Sequence, residues 1–302
     1  MALMCLHDEF LSYLDLERGC SPATIRAYRT DFRLFLRFLE SIEISPDIGA
    51  VDKPVLRRYV AWLRGRGLKV SSVARRLHSV HSFWNYLRDN DYTEQDPFLG
   101  VRVPKPERPL PVFLSAEECK ALLRAAEYQR SAFRAFRDKA VLAVLIYAAL
   151  RRSELLGLRL EDVDLGRAVL RVVHGKGRKA RAIPLADGAT EALGDWLELR
   201  PHCRHDALFT SQSGEPMGKN GLVRAFRKAV QKAGIKKPGV SLHKLRHSFA
   251  CMLLQNGCDL FSLSRLLGHT RLDTTAIYLH ATVEDLRSAC RAGVHAAAVC
   301  VI

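Results

Sequence analysis

Residues 103–111 read VPKPERPLP, four prolines in nine positions with three charges among them. A proline ring fixes φ and removes a backbone donor, so this stretch forms neither a helix interior nor a central strand. It reads as a linker, and at 302 residues the chain suits two domains, 1–106 and 107–302, with 48% hydrophobic residues to fill two cores.

Upstream of the linker the apolar spacing is helical throughout. Ser21 and Pro22 stand as N-cap and first helical residue ahead of ATIRAYRTDFRLFLRFLE, and Ser71 or Ser72 is expected to cap VARRLHSVHSFWNYLRDN. With helices near 5–16 and 54–65, this predicts a small all-helical domain of four to five helices. Arg26, Arg29, Arg33 and Arg37 recur at helical spacing, and Arg75, Arg76 and His78 form a second basic group. Such stripes serve equally as solvated faces or as phosphate contacts.

Downstream, Ser115 with Glu118 three residues later forms a capping-box pattern. A long apolar helix is expected near Asp138–Leu150. AVLRVV (168–173) and ARAIPL (180–185) are rich in β-branched residues and flank HGKGRK, a hairpin signal. Helices follow near 187–199, 219–233, 242–256, 260–267, 273–280 and 283–297. The predicted fold is therefore mainly α with a small β-hairpin in the second domain.

The formal charge of +15 favours a polyanionic partner, and nucleic acid is the commonest. The excess sits mostly in the second part, where residues 107–302 hold 31 Lys and Arg against 19 acids. The opening MALMCLHDEFLSYLDLERG lacks a basic start and an unbroken apolar run, and no stretch approaches the roughly 20 apolar residues of a membrane span. The eight cysteines form no CxxC pair and read as reduced thiols, so the expected compartment is cytoplasmic.

Several groups of residues suit phosphate chemistry. In HKLRH (243–247) a helix places His243, Arg246 and His247 on one face, with Leu245 and Phe249 free to meet the core. Lys244 stands where a zinc-protease motif needs glutamate, and a permanent guanidinium suits an anion better than a metal. His247 alone reads as a residue satisfying a core hydrogen bond. Arg151, followed by Ser153 and Glu154, reads in isolation as a contact to helix-end carbonyls. Lys176 lies between Gly175 and Gly177 on a hairpin carrying five basic side chains, solvated or placed to reach a phosphodiester. In GHTRLDTTAIYLH (268–280), Gly268 is expected to stop one helix and Asp273 to cap another that carries Tyr278.

The order and type of Arg151-x-Ser-Glu-Leu, Lys176, HKLRH, LLGHT (266–270) and TTAIY (274–278) together resemble the tyrosine recombinases of the phage integrase family, most closely the Xer-type enzymes of bacteria. The resemblance extends over nearly the whole chain. It implies that Arg151, Lys176, His243, Arg246, His269 and Tyr278 are catalytic, with Tyr278 the nucleophile. It implies a two-domain C-shaped DNA clamp, in which residues 1–106 form a SAM-like core-binding domain and residues 107–302 the catalytic domain. The implied activity is site-specific recombination through a 3′-phosphotyrosyl intermediate and a Holliday junction, with no cofactor, metal or ATP. The implied partners are a double-stranded DNA recombination site and a homo-tetramer on paired sites, with or without a paralogous recombinase, and the apolar tail AAAVCVI is expected to dock on a neighbouring protomer.

A type IB topoisomerase-like enzyme would share the tyrosine, arginines, lysine and histidine, but the short helical first domain and the HxLRH pattern fit it less well. A catalytically silent DNA-binding protein would not be expected to keep all six residues. Two positions depart from the family pattern. Ala148-Ala149 replace the usual Thr-Gly before Leu150-Arg151, and Arg152 occupies a position that is usually apolar.

Overall fold

The computed structural model describes residues 2–102, 113–173 and 180–268, with Thr275 and Tyr278. The chain divides into two compact units, Met1–Pro109 and Leu110–Ile302.

The first unit contains α1 (Leu3–Leu16), α2 (Pro22–Ser41), α3 (Lys53–Gly65) and α4 (Val70–Asp89). Ser21 caps α2 by accepting from the Thr24 N–H at 3.2 Å, with Pro22 in the first turn where its missing donor costs nothing. Asp52 caps α3 in the same way, accepting from the Val55 N–H at 2.8 Å. α4 begins earlier than its serines suggest: Lys69 holds the N-cap position with no side-chain bond, and Ser71 and Ser72 lie inside the first turn. Burial of Val73, Leu77, Val80, Trp84 and Leu87 sets the helix register there, and that outweighs a cap worth about 1 kcal/mol.

The core of this unit is aromatic. Phe35 meets Tyr59 edge-on with ring centroids 5.0 Å apart, and Phe32 meets Phe83 likewise at 5.1 Å. Beside it, the buried carboxylate of Asp31 is held by both terminal nitrogens of Arg75, with Arg76 at 3.7 Å. Arg75 is thus hydrogen-bonded to an internal carboxylate, whereas Arg26, Arg29, Arg33 and Arg37 are exposed.

In the second unit, α5 (Ala116–Glu127) opens on the expected capping box, with Glu118 accepting from the Ser115 N–H at 2.7 Å and Ser115 from the Glu118 N–H at 3.2 Å. α6 (Ala132–Tyr147) is the axis of the core, because Ala140 to Ile146 are all buried; it packs against α5 and against α8 (Asp187–Leu199). It stops at Tyr147, short of the expected Leu150. Two residues later Ala149 takes φ +49°, which no helix continues through, and a separate short helix α7 (Arg152–Leu156) follows.

β1 (Val163–Asp164), β2 (Val169–Val172) and β3 (Arg181–Pro184) form an antiparallel sheet in sequence order, with Leu170 opposite Ile183 and Val172 opposite Arg181. β2 and β3 are the predicted hairpin. β1 is an addition, since two residues are too few to show a period.

α9 (Lys219–Lys232), α10 (Leu242–Gln255) and α11 (Leu260–Leu267) lie where the periodicity puts them. Gly268 ends α11 in the left-handed region at φ +62°, as its sequence position predicts. Among the described residues no helix is long and apolar enough to cross a membrane. The linker 103–111, the helices expected near 273–280 and 283–297 and the Asp273 cap lie outside the described residues, apart from Thr275 and Tyr278.

The first unit's stability should depend heavily on its rings. Phe35→Ala, at a fully buried position, is expected to cost about 3–5 kcal/mol. Urea unfolding followed by circular dichroism checks this; a loss under about 1 kcal/mol would mean that the core closes over the missing ring.

Candidate active site

α7 is too short to be held by its own hydrogen bonds, and its first turn is organised around Glu154. The Arg151 N–H donates to Glu154 Oε2 at 2.8 Å, the reach-back of a capping box, and the Arg151 guanidinium donates to Oε1 at 2.7 Å. Arg151 is therefore the N-cap of α7, not the end of the apolar helix before it.

Glu154 is 1% exposed, and a carboxylate so buried is stable only if it is paired and hydrogen-bonded. The sheet supplies a second partner. Arg181 on β3 donates from Nη2 to Glu154 Oε2 at 2.8 Å. α10 brings a third guanidinium, with Arg246 Nη1 at 3.6 Å from the same oxygen. Burial pushes the Glu154 carboxyl upward, but the bonds from Arg181 and Arg151 outweigh it and hold its pKa at about 2.

The same three arginines share a second anchor. The last carbonyls of a helix lack intrahelical partners and carry the negative end of its dipole. At the end of α11, Leu266 O accepts from Arg181 Nε at 2.9 Å, Leu267 O from Arg246 Nη2, and Gly268 O from Arg151 Nη2 at 3.3 Å. Three successive carbonyls thus each receive one guanidinium. Arg246 also donates to Ala149 O at 2.8 Å. Ala149 sits at φ +49°, a conformation that glycine adopts freely, which gives a backbone reason for the glycine usual at this position in the family that the motifs resemble.

Arg246, on the helix side that it shares with His243 and His247, is 2% exposed, its guanidinium turned to the carboxylate and carbonyls of the cluster. Burial, then the nearby Arg151, lowers its pKa to about 10, which leaves it charged at neutral pH. Leu245 is buried as expected, and Phe249 packs beside the cluster formed by Ala149, Ala250, Cys251, Leu263, Leu267 and Tyr278.

Tyr278 is 4% exposed, its ring 5.1 Å from His247, which in turn meets His243 edge-on at 4.6 Å. Burial raises the phenol's pKa, opposed by the Arg246 guanidinium that hydrogen-bonds it. His243, on the exposed first turn of α10, has its pKa lowered by desolvation of the ring and then by Arg246, Lys244 and Arg151. It is the neutral, proton-accepting form at pH 7. Arg152 is exposed.

Arg151, His243, Arg246 and Tyr278 therefore converge; Lys176 and His269 lie outside the described residues. Glu154 and Arg181 were not among the expected site residues. One signal pointed to Arg181: it is two positions from Ile183 on β3 and so shares its core-facing side, where an arginine requires a buried partner.

Residues 112–285 match the phage integrase family, and residues 7–91 match the N-terminal SAM-like domain of phage integrases. The chain belongs to the phage integrase family of tyrosine recombinases. It is 34% identical to a tyrosine recombinase XerD of Listeria monocytogenes over 92% of this chain and 94% of that protein. It is 35% identical to a tyrosine recombinase XerC of Chlorobaculum tepidum over 93% of this chain and 91% of the other. Among solved structures, the Tn1549 transposon integrase in complex with a circular intermediate DNA shares the fold with a TM-score of 0.78 at 19% identity, covering 96% of this chain and 99% of that one. Among the described residues the chain is mainly helical, with one small three-stranded sheet in its second unit.

The carboxylate at the centre of this cluster sets a pH dependence. Glu154 has a folded pKa of about 2 against an ordinary 4.5, so its contribution is fully present above about pH 4.5 and is lost as the pH falls through about 2. Glu154→Gln is expected to lower stability at pH 7 by about 3 kcal/mol, a difference that shrinks below pH 4. Urea titrations of both proteins at several pH values measure it; a constant difference from pH 7 to pH 2 would contradict the ion-pair account.

Proposed function

We propose that this recombinase breaks and rejoins DNA by attack of the Tyr278 hydroxyl on a phosphodiester. The observation that carries the reading is the under-neutralised charge beside Tyr278. Among the described residues three guanidinium groups surround one carboxylate, and that part of the cluster keeps positive charge with which to meet an anion. Attack builds negative charge on the two non-bridging oxygens of a five-coordinate phosphorus. Arg151, whose side chain is a quarter exposed, and Arg246, beside Tyr278, neutralise it with fixed donors worth several kcal/mol of barrier.

The proton inventory closes. A tyrosine whose pKa is raised holds its proton at neutral pH and needs a base. His243 takes that proton, His269 donates a hydrogen bond to the phosphate, and Lys176 protonates the departing 5′-oxygen. The product is a 3′-phosphotyrosyl bond close in energy to the one broken. A 5′-hydroxyl from a partner duplex then attacks it, giving its proton to Lys176, Tyr278 leaves with the proton that His243 returns, and a Holliday junction forms.

In this reading residues 1–106 are the core-binding domain and 107–302 the catalytic domain, which together clamp double-stranded DNA. Two paired sites carry four protomers, with or without a paralogue, joined by the C-terminal tail; that tail lies outside the described residues.

The test is incubation with a library of nicked duplexes whose cores are randomised, capture of covalent adducts after denaturation, and return of the recovered sequence to supercoiled plasmids. Adducts with joined recombinant products are expected, and Tyr278→Phe should abolish both. Plasmid relaxation without joining would indicate a topoisomerase-like activity, and no adduct would reduce the chain to a DNA-binding protein. Because His243 must be neutral to act and its pKa lies below 6.5, the adduct rate should already be flat at pH 7 and fall only at lower pH. His243→Gln should lower that plateau by about 10²–10⁴-fold. An acid limb centred above pH 6.5 would assign the proton transfer elsewhere.

A further inference from the structure

We infer that Arg181 is a positioning residue for strand cleavage, fixing Arg151 and the end of α11 in register although it does not itself meet the DNA. The inference rests on the recombinase reading above. Arg151 and Arg246 have chemical tasks in that reading, while Arg181, the third guanidinium of the cluster, has none.

Arg246 is buried more deeply still but hydrogen-bonds Tyr278, whereas Arg181, its side chain 11% exposed, is bonded among the described residues to Glu154 and Leu266 O. Its donors are spent inward. Nη2 and Nη1 reach the two oxygens of Glu154 at 2.8 and 3.4 Å, and Nε reaches Leu266 O at 2.9 Å. One planar fork thus joins the carboxylate that orients Arg151 to the helix end whose next two carbonyls receive Arg246 and Arg151. If Arg181 is removed, Glu154 and Leu266 O lose a common partner, and of the three guanidiniums that join Glu154 to the end of α11 only Arg151 and Arg246 remain.

The backbone is shaped to admit this fork. Gly268 has φ +62°, and a Cβ built on it would lie 2.8 Å from Arg181 Nη1 and 3.0 Å from Cζ. The helix stop and the arginine therefore occupy adjoining space, and a side chain at 268 would be strained at this φ and would have to displace the guanidinium. Gly268 immediately precedes His269 in the chain, and Arg181 lies five residues after Lys176. A lysine in place of Arg181 would keep the charge but, as a single ammonium on a flexible stem, could not reproduce a rigid three-donor bridge.

The test uses the full-length chain and a nicked duplex recovered by adduct capture, with the single-turnover rate of adduct formation measured against DNA concentration. In Arg181→Gln the saturated rate is expected to fall about 10- to 100-fold, the scale of a small misplacement of catalytic groups, while the half-saturating DNA concentration stays within about twofold. Arg181→Lys should recover little of that rate. A saturated rate in Arg181→Gln equal to wild type overturns the inference, as does full recovery by Arg181→Lys, which would make Arg181 a point charge only. Thermal unfolding of each variant is read alongside; if Arg181→Gln does not fold, Arg181→Lys decides by the same criterion. Failure of the wild-type protein to form any adduct overturns the recombinase reading itself, a result distinct from an unchanged rate in the variants.

Discussion

A single carboxylate, Glu154, and the carbonyl end of α11 hold three arginines between them, and the geometry of the site follows from that arrangement. Like charges gathered in a poorly solvated space repel strongly, and a cluster of guanidiniums with no anchor would spread into solvent. Glu154 supplies one negative charge at the centre, and the α11 carbonyls supply the negative end of a helix dipole on the other side. Each arginine comes from a different element: Arg151 precedes α7, Arg181 lies on β3 and Arg246 on α10. The site therefore forms only when the second unit's core has brought those elements together.

Tyr278 sits beside this charged cluster but inside an apolar one, among Ala149, Ala250, Cys251, Leu263 and Leu267. Burial favours the neutral phenol and Arg246 favours the phenolate, so the two surroundings act in opposite directions on one proton. His243 lies nearby in the state that can accept a proton, because desolvation of its ring, and then the positive charge of Arg246, Lys244 and Arg151, keeps it unprotonated.

Much of this was legible in the sequence. The capping box at Ser115 and Glu118, the hairpin of β2 and β3, and α8 through α11 follow from local rules of propensity and period. Arg151, His243, Arg246 and Tyr278 could be picked out because their residue types and order match a known set of motifs. Local rules failed where packing overrode them. Burial of Val73 and Leu77 moved the start of α4 ahead of its serines, and the backbone turned at Ala149 before the apolar run of α6 had ended.

The sequence by itself determined the family, the helical character and the chemistry, because these depend on residue identity and on spacings within one element. Only the tertiary structure decided that Arg246 is buried, that Glu154 is shared and that Arg181 belongs to the site. Arg181 is 27 residues from Glu154 and 85 from Leu266, so no periodicity within a single helix or strand can relate them. Their relation comes from the need of a buried carboxylate and three helix-end carbonyls for donors, a need that exists only once the surrounding core has excluded water.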